Sequence, residues 1–172
     1  MSSSISSACL LVNLGLKMVG AKKVQTPMSM SAKLILDDGL TNCDATEYRR
    51  TIGSVQYLSL TRPDLGFTVN HLAQFMHKPT VTHWQRVKWL LHYVKQTIHF
   101  SFLLRRQSNP MLRGFSDTDW GGDLDDRKCT TTYIIFLGNN PISWRTRKQK
   151  VMARSFTEAK YKLATTASDL LG

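Results

Sequence analysis

The chain has 172 residues, 42% of them apolar, and a formal net charge of +11. That length allows one domain or two small ones, and the apolar runs are too short for a bilayer-crossing helix, so a membrane partner is not expected. A pI near 9.9 points to a polyanion, nucleic acid first and an acidic surface second.

Residues 1–45 are weakly patterned, with four bases against three acids. Positions 8–19 allow a short helix, and "TPMSMSAKLILDDG" reads as a loop or linker punctuated by Pro27 and Gly39. The Ser-rich start has no arginine before Arg49 and no charged n-region, so organelle or secretory targeting is not expected. Cys9, Cys43 and Cys129 are few and widely spaced, which signals neither a zinc site nor a disulfide framework. An intracellular, reducing setting, cytoplasm or nucleus, is the expectation.

Residues 46–106 read as a helical unit. Thr46 is a candidate cap for a helix with Tyr48, Ile52, Val55 and Leu58 on one face. Pro63 marks a second helix start, with Leu65, Val69, Leu72 and Met76 as its apolar set and Pro79 as a stop. Thr80 opens a third helix, whose Trp84, Val87, Leu91 and Val94 share one stripe. A second stripe, Gln85, Lys88, His92 and Lys95, faces solvent or a phosphate backbone. Residues 46–110 hold nine bases against two acids, so the positive charge concentrates here. His71, His77, His83, His92 and His99 form no triad-like motif and read as surface or packing residues. Trp84 and Trp89 read as core or interface residues.

From 107 to 172 the period changes. "HFSFLLRR", which begins before this boundary, "PMLRGFSDTDW" and "CTTTYIIFLG" look like strands, "NNP" is turn chemistry, and "ISWRT" is a further short strand. From Ser155 the pattern turns helical, with Phe156, Leu163, Ala167 and Leu170 on one side. The fold class expected is therefore α+β: helices, then three or four antiparallel strands, then a helix. Five acids, Asp117, Asp119, Asp123, Asp125 and Asp126, fall within ten residues. They suit a metal site for phosphodiester chemistry, a solvated turn, or the remains of a site.

The run from Tyr48 to Leu171 resembles the reverse transcriptase–ribonuclease H part of copia-type retrotransposon Pol polyproteins. The resemblance rests on "TEYRRTIGSVQYLSLTRPDLGFTVNHLAQFMHKPTVTHWQRVKWLLHYVKQT", "FSDTDWGGDLDDRKCTTTYIIFLGNNPISWRTRKQK" and "ARSFTEAKYKLATTASDLL", in the family's order. "QTPMSMSAKL" is similar to the segment that precedes them. The resemblance implies that residues 46–106 are a thumb- or connection-like tail of the polymerase. It implies that 107–172 are an incomplete, truncated RNase H-like domain, three antiparallel strands plus the first helix. The cofactor implied is Mg²⁺, and the partner an RNA–DNA hybrid or other nucleic acid, together with the rest of the polyprotein. In such sites carboxylates hold two ions about 4 Å apart around the scissile phosphate.

Asp117 matches the family's first metal-binding aspartate. The second ligand, the last acid of the family's "TEAE", is Lys160 here, an ammonium where a carboxylate is needed. The family's remaining acids lie further on than Gly172, and its polymerase aspartates precede these segments. One of four RNase H ligands is therefore expected, and the chain is expected to be catalytically inactive. Glu158, two positions before Lys160, points about 200° away on a helix, and with Ser155 it fits a capping box. Asp119 shares the face of Asp117 and can reach the same ion if the strand continues. Asp123, Asp125 and Asp126 read as a solvated turn. Arg49, Arg50, Arg86, Lys88 and Lys95 either touch the hybrid's phosphates or form a solvated face. "RTRKQKVMAR", with Arg145, Arg147, Lys148, Lys150 and Arg154, is a nucleic-acid contact, an import patch, or a solvated run.

Overall fold

The computed structural model describes residues 24–29, 34–100, 104–106, 111–119, 125–149 and 157. Six elements lie within them: helices α1 (Ala45–Leu58), α2 (Pro63–Ala73) and α3 (Val81–Gln96), then strands β1 (Leu112–Asp119), β2 (Thr130–Leu137) and β3 (Asn140–Lys148). The class is α+β. The chain divides into two compact units, Met1–Phe102 and Leu103–Gly172. The short helix read at 8–19 and the helix read from Ser155 to the end lie outside the described residues, save Thr157.

The helical unit follows its apolar periodicity. α1 buries Tyr48, Ile52, Val55 and Leu58, with Thr51 beside them. Its cap is not Thr46 but Asp44, whose Oδ1 accepts the N–H groups of Thr46 (2.8 Å) and Glu47 (3.3 Å). Asp44 is extended and its oxygen reaches two orphan donors, which a residue inside the first turn cannot do. α2 starts with Pro63 in its first turn, where the missing N–H costs nothing. It buries Leu65, Thr68, Val69 and Leu72 and ends at Ala73, ahead of Pro79. α3 buries His83, Val87, Leu90, Leu91, Tyr93 and Val94. Each fully buried Leu, Ile or Val contributes about 1.5–3 kcal/mol of transfer free energy.

The segment before α1 has irregular backbone, yet it is anchored. Val24 and Leu34 join the helical core. The Val24 N–H donates to Gln96 Oε1 (2.8 Å), and Trp89 Nε1 donates to the Thr26 carbonyl (3.0 Å). Cys43 N–H bonds the Pro79 carbonyl and Val81 N–H the Thr41 carbonyl, both at 3.0 Å. Weak periodicity hid this because single anchors leave no repeating pattern.

The second unit is an antiparallel sheet in the order β1-β2-β3. Asp117 pairs with Thr132 and Asp119 with Thr130; Thr132 in turn pairs with Thr146, and Thr130 with Lys148. Gly138, at φ 61, opens the two-residue connection between β2 and β3, the position that a II′ hairpin turn gives to glycine. Asn140 and Pro141, read as turn residues, belong to β3. Pro141 sits opposite Phe136 at a register shift, where an outer strand tolerates a missing donor. Within "HFSFLLRR" the described residues form no strand. Arg105 instead exchanges backbone bonds with the Asn140 side chain (2.9 and 2.7 Å).

Candidate metal and nucleic-acid sites

Asp117 and Asp119 occupy the second half of β1 and are exposed. Two residues apart on a strand, they project from one face, their Cα atoms roughly 6.5–7 Å apart. Opposed residues share a face, so Thr132 and Thr146 lie beside Asp117, their hydroxyls 3.1 Å apart. Thr130 and Lys148 lie beside Asp119. Asp117 Oδ1 accepts the N–H of Thr118 at 2.8 Å. Magnesium demands near-octahedral oxygen ligation. Two carboxylates on one strand do not meet it by themselves, and among the described residues no cluster of three or more His, Cys, Asp or Glu could hold a metal. Lys160 and Glu158 lie outside the described residues.

The other acids part company. Asp126 is engaged by Lys148 Nζ (3.0 Å) and Lys128 Nζ (3.1 Å), and its Oδ1 accepts the Lys128 N–H. Partial burial raises its pKa, but these bonds outweigh burial and hold the carboxyl below its ordinary value. Asp126 thus ties the approach to β2 to the end of β3, beyond the solvated-turn role read for it. Between Asp126 and Lys128, Arg127 has φ 54, a left-handed conformation that most side chains avoid. Asp125 is exposed. Asp123 lies outside the described residues.

The basic residues do not form a single set. On α3, Lys88 and Lys95 are exposed and seven residues apart, on one flank of the buried stripe. Arg86, half-buried with its Nε screened from solvent, falls on the opposite flank. Arg50 is exposed on α1, whereas the Arg49 Nε donates to the Met76 carbonyl at 2.9 Å and so closes the turn after α2. In the sheet, Arg145 and Arg147 stand on the face of Thr131 and Tyr133, opposite the face of Lys148 and Asp117. Lys150 and Arg154 lie outside the described residues.

Two buried polar groups stand out in the helical unit: Arg62, which sequence reasoning missed, and His83, which it read as a surface or packing residue. Arg62, 4% exposed, sits immediately before α2. Its Nε and Nη2 clamp both oxygens of Asp64 (2.9 and 2.7 Å), and Nη1 and Nη2 reach the carbonyl and hydroxyl of Thr97 (3.0 and 2.8 Å). Tyr93 Oη donates to Asp64 Oδ2 at 3.0 Å, and the guanidinium lies 5.9 Å from the Tyr93 ring centre and 5.5 Å from that of Phe100. Burial raises the Asp64 pKa, but Arg62 and Tyr93 outweigh it and hold the carboxyl below its usual range. This clasp joins the start of α2 to the end of α3. Its sequence signal was Arg-Pro-Asp across a helix start, a base and an acid that a first turn brings together. The second group is His83, fully buried and stacked on Phe75 with ring centres 4.1 Å apart. Its Nδ1 accepts the Thr80 N–H (3.0 Å), so Nε2 is the nitrogen that donates to the Ile35 carbonyl (3.1 Å). His83 is thus a packing residue.

Among the described residues no helix is long and apolar enough to cross a membrane. No family model and no solved structure matches the chain. Curated relatives do. The chain is 47% identical over 154 residues to the retrovirus-related Pol polyprotein from transposon RE2 of Arabidopsis thaliana, covering 89% of this chain and 11% of that protein. It is 36% identical over 157 residues to the retrovirus-related Pol polyprotein from transposon TNT 1-94 of Nicotiana tabacum, 86% of this chain and 12% of the relative. An uncharacterised mitochondrial protein of Arabidopsis thaliana is 38% identical over 148 residues, 84% of this chain and 62% of its own length. The chain therefore spans about a tenth of the polyproteins it matches. With this similarity running through both the helical unit and the sheet, the chain belongs to the Pol polyproteins of copia-type retrotransposons.

Proposed function

We propose that the chain covers the helical tail of the reverse transcriptase and the opening of an RNase H-like domain. We propose further that it holds RNA–DNA hybrid electrostatically and does not cleave it. The observation that carries this reading is Asp117. It lies on the first strand of an antiparallel three-stranded sheet, while the sequence has Lys160 where a second carboxylate is needed. An ammonium in place of that carboxylate would oppose Mg²⁺ binding. Hybrid binding draws on the exposed bases Arg50, Lys88 and Lys95 of the helical unit and Arg145 and Arg147 of the sheet, while Lys148 is partly engaged by Asp126.

The chain's share of its relatives, 11% of the RE2 polyprotein, supports a second reading, in which a longer product supplies the missing ligands. One experiment separates them. Purified protein is titrated with labelled RNA–DNA hybrid across a salt series, with Mg²⁺ present. The expected outcome is binding that weakens steeply with salt, by a slope of roughly 0.9 per phosphate neutralised, and an intact RNA strand. Mg²⁺-dependent RNA release that disappears in Asp117→Asn would overturn the inactivity. Absence of binding at low salt would overturn the nucleic-acid reading.

A further inference from the structure

The described charges of the sheet unit are sorted by end. At one end, where β2 begins and β3 closes, Asp126 is paired with Lys128 and Lys148, and Asp119 stands opposite Thr130. At the other end lies the β2–β3 turn, and the described charged residues there are arginines. Arg113 is the second residue of β1, and Arg105 is bonded to Asn140, the first residue of β3. Arg105, its neighbour Arg106, and Arg113 are all exposed. We propose that this arginine cluster is a phosphate-binding site, through which the sheet unit grips the sugar–phosphate backbone of an RNA–DNA hybrid. The inference rests on the hybrid-binding reading above and adds the place on the sheet where the polyanion is held.

Three consecutive turn residues hold the cluster in place. The Arg113 Nη2 donates to the Gly138 carbonyl and to Asn139 Oδ1 (3.0 Å). Asn140 Oδ1 accepts the Arg105 N–H at 2.9 Å, and Asn140 Nδ2 donates to the Arg105 carbonyl at 2.7 Å. One amide thus satisfies both backbone groups of Arg105, as a ladder partner would. The guanidinium of Arg113 and the backbone of Arg105 are therefore set on neighbouring residues before any ligand arrives. Such fixing lowers the cost of binding, since ordering a long side chain takes about 0.5–1.5 kcal/mol. A guanidinium carries five N–H donors. The turn takes the two on Nη2 of Arg113, and the three on Nε and Nη1 remain for phosphate oxygens, which make charge-assisted bonds with them.

Among the described residues the cluster stands apart from the acids. Along β1 the nearest is Asp117, four residues from Arg113 and so roughly 13 Å away on a strand. That exceeds the screening length of about 10 Å at 0.1 M salt. Asp119 lies further on, opposite Thr130, while the turn follows Leu137; those two β2 residues are roughly 23 Å apart. A polyanion nearing the sheet meets repulsion at the aspartate end and attraction at the arginine end, so the turn sets where it seats. Arg145 and Arg147 do not share this place, for they pair with Tyr133 and Thr131, toward the aspartate end.

The test is binding of the full chain to labelled RNA–DNA hybrid across a salt series. Arg105→Gln, Arg113→Gln and their combination are compared with Arg127→Asn, which removes one exposed charge at the aspartate end. Each single cluster variant should lower the salt slope by roughly 0.9 and weaken binding about eightfold at about 0.1 M salt, the value that slope implies against a 1 M reference. The double variant should lower the slope by roughly 1.8. Arg127→Asn, in which asparagine suits the left-handed backbone, should stay within about twofold of the parent. Asn140→Ala keeps every charge but releases Arg105, and should weaken binding about threefold at an unchanged slope. Arg105→Gln retains the backbone bonds to Asn140, so its loss is not a folding effect. A parent that binds, with both arginine variants equally tight, overturns this inference and leaves the hybrid reading standing. An equal loss in Arg127→Asn overturns it too, since diffuse charge would then suffice. A parent that fails to bind at low salt removes the hybrid reading and this inference with it.

Discussion

The helical unit and the sheet unit solve burial differently. Fifteen buried apolar residues from α1, α2, α3, the segment before them and the α2–α3 connection form one core. In the sheet the described core is Tyr133 and Ile135, with Cys129 buried nearby, while β1 is exposed except at Thr118. Three amphipathic helices can close a core on themselves, whereas a single sheet has two faces and needs something to cover at least one. Stability of the described structure should therefore reside in the helical unit, with the sheet depending on what is laid against it.

The hardest test of that contrast is Arg62→Ala. It leaves the Asp64 carboxylate and the Thr97 carbonyl without the guanidinium that 4% exposure keeps from solvent. Breaking a buried pair costs about 3–5 kcal/mol. Asp64 is 34% exposed, so a loss near about 3 kcal/mol is expected, read as a lower urea midpoint for the helical signal. Amide exchange in β1, β2 and β3 should not change. A sheet that loosens in step would break the comparison.

Alkaline titration probes the same unit more gently. Burial raises the pKa of Tyr48, which donates to the Leu72 carbonyl at 2.9 Å. It also raises that of Tyr93, with the Asp64 carboxylate adding to the effect. Groups with raised folded values lend stability that is complete below their unfolded value, about 10 for tyrosine, and that is lost as pH rises beyond it. The helical unit should lose about 1 kcal/mol for each pH unit above 10 through Tyr48 alone. Tyr48→Phe should flatten that loss, at the cost of one buried hydrogen bond. An unchanged slope in Tyr48→Phe would remove the assignment.

The smallest effect separates two neighbours. Asp44→Ala should cost about 1 kcal/mol of helical stability, while Thr46→Ala should change it by less than about 0.5 kcal/mol. Equal losses, measured by thermal melts, would return the cap to Thr46.

How much was legible follows from the range of each interaction. Periodicity located α1, α2, α3 and the strand cores because burial on a repeating element writes a repeating pattern. It missed Asp44 because two cap-competent side chains stood two positions apart, and only backbone direction chooses between them. It missed the anchoring of Val24, Thr26 and Ile35, since a single contact has no period. Asp117 drew notice through its motif, yet the motif carries no information on what stands beside it; register places Thr132 and Thr146 there.

The sequence by itself determined the order of helices and strands, the basic balance, the polyprotein family and the lysine at 160. These are local or compositional properties, written residue by residue. Tertiary structure alone decided that Arg62 reaches Thr97, that His83 is sealed against Phe75, and that Arg145 and Arg147 turn from the face of Asp117. Each depends on residues distant in sequence meeting in space, and no spacing rule along one chain specifies which distant partner satisfies a buried charge.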